Sequence, residues 1–307
     1  LSKAGKKVIL IEKGGNNLKG IGSMMGMLNG EHMTRASSGI WDTTIEGQNV
    51  VMGTGMGGGS YLYAGIVGLP QFEVFDKYGM DLRPYLEDAK KESWVNETPD
   101  EFIGPTTKRI QEVANDMGLP FHRTLRHINF NKCKYGCTTA AFGCKFGAKW
   151  MGFYAANEAK EMGAKLQIYT DVKRVLVENG KAVGVYAEDV KTGEQLEIRG
   201  NVVVLSAGGP GSALILMHSG IQKAGMRCFG DPAFGSWGVL PEGSKLKSHF
   251  YEHGTSTAWF DDEHGCLFYT NVSWTRSFWT MYHVMGGIRK ALDIYKYFPR
   301  MISLSNK

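Results

Sequence analysis

Residues 50–65, VVMGTGMGGGSYLYAG, constrain this chain more than any other stretch: a short apolar run leads into Gly53, Gly55, Gly57, Gly58 and Gly59, with Ser60 directly after. Glycines at this density allow positive φ and let backbone N–H groups approach a ligand with no Cβ in the way, which suits a pyrophosphate or a flat aromatic ring. Gly53-x-Gly55-x-x-Gly58 satisfies the dinucleotide-binding pattern, but that pattern carries meaning only between a strand and a helix, with an acid about 20 residues further on. Here Tyr61-Leu62-Tyr63-Ala64-Gly65 reads poorly as the start of a helix, and no carboxylate follows until Glu73. On the motif alone, a structural glycine turn and a ligand loop both stay open.

The first 17 residues, LSKAGKKVILIEKGGNN, read as the back half of a βαβ unit. Leu1–Lys6 would be the last turn of a helix closed by Gly5, Val8–Ile11 a buried parallel strand, and Glu12 the acid at its carboxyl end, placed to accept hydrogen bonds from ribose hydroxyls. An ordinary surface glutamate ending a strand is the competing reading. If Glu12 is the ribose acid, the phosphate-binding glycines belong about 20 residues earlier, before residue 1. The expectation is therefore a chain that begins inside its own nucleotide-binding unit.

Composition narrows the function classes. The chain has 307 residues, enough for one large domain or two, and its 41 glycines point to a loop-rich α/β or α+β protein. A net charge of +5, with the basic residues scattered, gives no electrostatic footprint for nucleic acid. Neither a membrane-spanning apolar run nor a basic-then-apolar leader is present in the sequence. Five cysteines, an odd number, argue against a disulfide framework and for a reducing compartment, so a cytoplasmic location is expected.

Further along, helical spacing is expected over 71–78 and 84–94, and over Pro105–Met117, where Ile110, Val113, Ala114 and Met117 share a face and Gly118 ends the helix. Cys133, Cys137 and Cys144 follow with C-x3-C-x6-C spacing, which lacks the C-x2-C pairs usual for zinc or ferredoxin-type clusters. Packing cysteines are the favoured reading, with a cluster site as the alternative. A helix over Lys149–Met162, strands over 165–170 and 172–177, an Asn179-Gly180 hairpin turn into 182–187 and a Thr192-Gly193 turn into 195–199 describe a small β-meander. Asn201–Ser206 is expected as an apolar strand, running through Ala207-Gly208 into a helix over 213–219. In 221–307 the histidines His249, His253, His264 and His283 have no identified partner, and none is assigned to catalysis.

In this order, VILIEKG, GTGMGGGS, CKYGC with GCKFGAKW, GAKLQIYTDVKRVLVENGKAVGV and VVVLSAGGPGSALILMHSGI resemble the glucose–methanol–choline (GMC) type of FAD-dependent oxidoreductase, in particular its branch of long-chain alcohol oxidases and related bacterial dehydrogenases. The resemblance runs from residue 1 to about 225. It implies FAD as cofactor, with Glu12 on the adenosine ribose, and Gly53, Gly55, Gly57, Gly58, Gly59 and Ser60 along the pyrophosphate and the flavin edge. It further implies that the Val172 backbone faces the adenine and that Ala207 and Gly208 lie along the dinucleotide. The family's first glycine loop and its C-terminal catalytic histidine are absent, so the catalytic residue is expected beyond residue 307.

The expected fold is α/β: a Rossmann-like FAD-binding sheet assembled from 1–70 and 145–225, a helical cap or connecting region over 71–144, and a partial substrate domain over 226–307. The expected activity is hydride transfer between a small-molecule alcohol and flavin N5, with the electron acceptor open and another chain able to supply the missing segments. Trp259, Phe260, Trp274, Phe278 and Trp279 would either wall the alcohol pocket or pack a core. Two other functional readings stand beside it: a truncated non-catalytic GMC-like module, and a flavoprotein electron-transfer subunit with a cysteine-ligated cluster.

Overall fold

The computed structural model describes residues 1–18, 21, 42–43, 49–50, 52–134, 143–227, 256–261 and 266–270, a mixed α/β chain. It forms two compact units, one from Leu1–Asn17, Gly53–Gly58 and Gly152–Val239, the other from Leu18–Met52, Gly59–Met151 and Leu240–Lys307.

In the first unit, the apolar run after Lys7 becomes the strand Ile9–Ile11, paired in parallel with Lys165–Gln167 in the register Ile9 to Lys165, Leu10 to Leu166 and Ile11 to Gln167. Parallel strands need a crossover between them, and the Gly152–Glu161 helix directly precedes the second strand, ended by Gly163 at φ 94°. This helix starts three residues later than the sequence suggests, because Lys149 is held in an antiparallel bridge with Ile128.

The meander follows as a three-stranded antiparallel sheet with Lys181–Asp189 between Thr170–Glu178 and Gln195–Arg199. Its first turn has positive φ at both central residues, 50° at Asn179 and 74° at Gly180, the type I′ geometry that matches strand twist. At the second turn, Asp189 Oδ1 accepts the amides of Lys191 and Thr192, both at 2.8 Å, and Gly193 takes φ 75°. The Gly208–His218 helix packs on Thr170–Glu178 through Ser219, whose Oγ accepts the Val175 amide at 2.8 Å and donates to the Ile215 carbonyl at 2.6 Å.

One expected strand fails. Asn201–Ser206 forms no strand, and Val202 and Val204 are 80% and 70% exposed. Apolar, β-branched composition favours a pleated neighbour, but no strand pairs with this segment among the described residues. In the other unit the expected helix forms over Pro105–Asp116; it buries Thr106, Thr107 and Ala114 and leaves Ile110, Val113 and Met117 exposed. Spacing tells which residues share a face, and not whether another element covers it.

The rest of the second unit includes short helices over Phe72–Asp76 and Leu86–Glu92 and small antiparallel sheets. Leu125–His127 lies between Ile66–Val67 and Val95–Glu97, and Thr257–Asp261 lies between Cys266–Tyr269 and His122–Arg123. Ile128, Cys144 and Ala148 form a buried cluster with Phe130 and Cys133 against it, and Phe130 meets Phe102 at 5.0 Å between ring centroids. Trp259 stacks on Phe268 at 5.1 Å, while Trp274, Phe278, Trp279 and the histidines 249, 253, 264 and 283 lie outside the described residues.

Candidate functional site

Three short stretches of the first unit converge at the carboxyl end of the Ile9–Ile11 strand. Glu12 Oε1 accepts two backbone amides, from Gly14 at 2.8 Å and from Gly55 at 3.1 Å, and so ties the strand end to the glycine run. The Met56 amide donates to the Gly15 carbonyl at 2.9 Å, and the Tyr169 amide to the Gly14 carbonyl at 3.0 Å. The strand end is held on its other side by the Thr170 amide, which donates to the Glu12 carbonyl at 2.9 Å.

This approach is too close for side chains. A Cβ on Gly14 would stand 2.5 Å from the Gly55 nitrogen and 2.8 Å from both Gly55 Cα and Thr54 Cγ2. Gly57, at φ +119°, would place a Cβ 2.6 Å from the Phe153 nitrogen in the first turn of the Gly152–Glu161 helix. The run is thus glycine for two reasons, positive φ at Gly55, Gly57 and Gly58 and backbone approach at Gly57.

Burial pushes the Glu12 carboxyl above the usual carboxylate range, against the opposing pull of the Gly14, Gly55 and Lys13 amides and the Lys13 charge. A half-buried acceptor at a strand end is the kind of group that a dinucleotide ribose meets. At the end of the run a Cβ added at Gly58 or Gly59 meets nothing within 4 Å among the described residues, so the backbone there borders open space, as it does at Gly208. A strand-end acceptor held against a glycine run of positive φ is a geometry that fits a dinucleotide cofactor.

The other expected site residues are more scattered. Gly53 opens the run, and Gly59 and Ser60 lie in the 3₁₀ turn Gly58–Tyr61. Val172 sits on the edge strand of the meander opposite Ala187, where the register shifts between Tyr186 and Ala187. Ala207 caps the Gly208–His218 helix, its amide donating to Ser212 Oγ at 3.1 Å, and Gly208 opens that helix at φ 73°. The described hydrogen bonds join Glu12 to Gly55, but do not join Val172, Ala207 or Gly208 to that pair.

Sequence reasoning missed Gly14 and Gly15, although a glycine pair directly after a strand-ending acid is itself a signal of close backbone approach. It also missed Lys149 and Arg126, polar residues at positions where composition gives no hint of burial. Of the three cysteines in the C-x3-C-x6-C stretch, Cys133 and Cys144 pack in the apolar cluster around Ile128, and Cys137 lies outside the described residues. Among the described residues, no group of three or more His, Cys, Asp or Glu could hold a metal ion, and no helix is long and apolar enough to cross a membrane.

A family model described as GMC oxidoreductase matches residues 22–250. The chain belongs to the GMC oxidoreductase family, whose cofactor is FAD. Among solved structures, formate oxidase from Aspergillus oryzae RIB40, described with an FAD modification, is 16% identical, with a TM-score of 0.51 over 70% of this chain and 43% of that one. A second formate oxidase structure gives 15% identity, the same TM-score of 0.51 and the same coverage, 70% and 43%. Pyridoxine 4-oxidase from Mesorbium loti is 17% identical, covers 70% of this chain and 47% of its own, and has a TM-score of 0.48. The formate oxidase likeness supports the fold, and this chain spans less than half the length of those structures. No curated protein matches the chain.

Proposed function

We propose that this chain carries the FAD-holding part of an oxidoreductase that transfers a hydride between an alcohol carbon and flavin N5. The observation that carries the reading is the Glu12 carboxylate at the end of a parallel strand, tied through Gly14 and Gly55 to a glycine run whose later members border open space. Glu12 would accept hydrogen bonds from the adenosine ribose, Gly53–Ser60 would follow the pyrophosphate and flavin edge, Val172 would offer backbone to the adenine, and Ala207 and Gly208 would lie along the dinucleotide. When bound, FAD supplies a two-electron acceptor for the hydride of a carbinol carbon. The residues assigned here bind and orient; the acceptor of the hydroxyl proton is not among them.

The test is direct. The purified 307-residue chain is titrated with FAD and its visible spectrum recorded, then mixed anaerobically with a panel of alcohols, with formate and pyridoxine as comparators. Flavin binding, weakened by the absent first glycine loop, with slow bleaching by an alcohol is the expected result. Flavin bleached by formate and by no alcohol, pyridoxine with its hydroxymethyl groups included, overturns the alcohol assignment, and absence of flavin binding by the chain favours a non-catalytic module.

A further inference from the structure

Burying an amino or guanidinium group is costly unless its donors find acceptors, so a buried cation marks a place where the chain needs carbonyls held. The second unit contains two such groups beside the segment that leaves the glycine run. Lys149 is 1% exposed and Arg126 0%. Lys149 Nζ donates to the carbonyls of Tyr61 at 3.0 Å and Tyr63 at 2.8 Å, and stands 4.6 Å from the centroid of the Tyr63 ring. Arg126 Nη2 donates to the Ala64 carbonyl at 2.5 Å.

Backbone amides complete the set. The Gly143 amide donates to the Tyr61 carbonyl at 2.7 Å and the His127 amide to the Gly65 carbonyl at 2.8 Å. Four of the five carbonyls from Tyr61 to Gly65 are therefore fixed from outside the segment. Tyr63 is pinned again through its hydroxyl, which donates to the Trp150 carbonyl at 3.0 Å.

This fixation reaches the glycines through the turn itself. The amides of Leu62 and Tyr63 donate back to the Gly59 carbonyl, at 2.9 and 3.3 Å. In a trans peptide the C=O and the next N–H point in opposite directions, so a Gly59 carbonyl turned toward Leu62 sets the direction of the Ser60 N–H. Holding Tyr61 and Tyr63 thus orients the Gly59–Ser60 peptide, at the end of the run where glycines border open space.

We propose that Lys149, with Arg126, is a positioning residue for the cofactor loop: it holds the Tyr61–Ala64 carbonyls and thereby the peptide orientation at Gly59 and Ser60 that FAD meets. The proposal rests on the reading of Gly53–Ser60 as that loop, and the experiment separates the two. Amide exchange of the full chain without FAD is compared for wild type, Lys149→Met, Lys149→Arg and Arg126→Lys, and FAD affinity is measured for each by flavin fluorescence, alongside thermal melting. Loss of two donors from a buried site predicts about tenfold faster exchange at Leu62 and Tyr63 in Lys149→Met, with the Thr170–Arg199 meander unchanged, and about tenfold weaker FAD binding.

Lys149→Arg restores part of both, because an arginine keeps the donors. Exchange at Leu62 and Tyr63 within twofold of wild type in Lys149→Met overturns the clamp. Altered exchange with FAD affinity unchanged overturns the positioning role. A wild type that binds no FAD, while exchange still responds to Lys149→Met, overturns the cofactor reading and the positioning role with it. If Lys149→Met fails to fold, the same comparisons with Lys149→Arg and Arg126→Lys decide, equal affinity and exchange in both being the overturning result.

Discussion

Lys149 makes the stability of this fold depend on pH between about 7 and 10.5. Burial pulls its pKa from the ordinary 10.5 down to about 7, with Arg126 repelling the charge and Cys144 opposing the shift. At about 1.4 kcal/mol per pH unit, carrying the proton inside the fold costs about 5 kcal/mol relative to carrying it in the unfolded chain. Between pH 7 and 10.5 the unfolded chain binds the extra proton, so stability rises with pH across the window and is lost as pH falls toward 7. The neutral amine still has two N–H donors for the Tyr61 and Tyr63 carbonyls, so both contacts survive deprotonation.

Urea unfolding of wild type and Lys149→Met at pH 7.5, 8.5 and 9.5 isolates this contribution, because groups common to both proteins largely cancel in the difference. Arg126, pulled down to about 10 chiefly by its own burial, sets the upper limit of the scan. The wild type should gain about 2.7 kcal/mol on the variant between pH 7.5 and 9.5. A difference that stays flat within about 0.5 kcal/mol would refute the reasoning, since it would mean that Lys149 keeps its proton in the fold as readily as in water.

Three further outcomes concern Glu12, the glycines near it in sequence or along the run, and Ser219. Glu12→Ala removes the acceptor of the Gly14 and Gly55 amides and should lower stability by about 2 kcal/mol in thermal or urea unfolding, whereas Glu12→Gln keeps an acceptor oxygen, retains most of that stability and weakens FAD binding in a fluorescence titration. Gly14→Ala forces a Cβ against the Gly55 backbone and should cost about 1–3 kcal/mol, while Gly59→Ala, which meets nothing within 4 Å, should leave the melting temperature near wild type and reduce FAD affinity. Ser219→Ala leaves the Val175 amide without its acceptor and should cost about 1–2 kcal/mol, seen as faster exchange at Val175 and a lower urea midpoint.

How much of this was legible in the sequence depends on the range of the interaction that decides each feature. Asn179-Gly180 specifies its turn through two residues' own φ preferences, and the Ile9–Ile11 strand through a short apolar run with a glycine-bearing turn on each side, so both are readable from a few neighbouring letters. Asn201–Ser206 carries the same kind of local signal, yet a strand is defined by its partner, and pairing is not encoded in the segment. Glu12 was readable as an acid at a strand end, but its tie to Gly55 spans 43 residues, and the burial around it, which raises its pKa against the pull of that amide, comes from parts of the chain that its neighbours in sequence do not show. Lys149 marks the limit. In the sequence it opens an expected helix; in the structure it bridges Ile128 instead, and its Nζ reaches carbonyls 86 and 88 residues away. On the proposed reading the glycines are where the cofactor approaches, and this long-range polar contact selects one conformation among the many that such glycines allow.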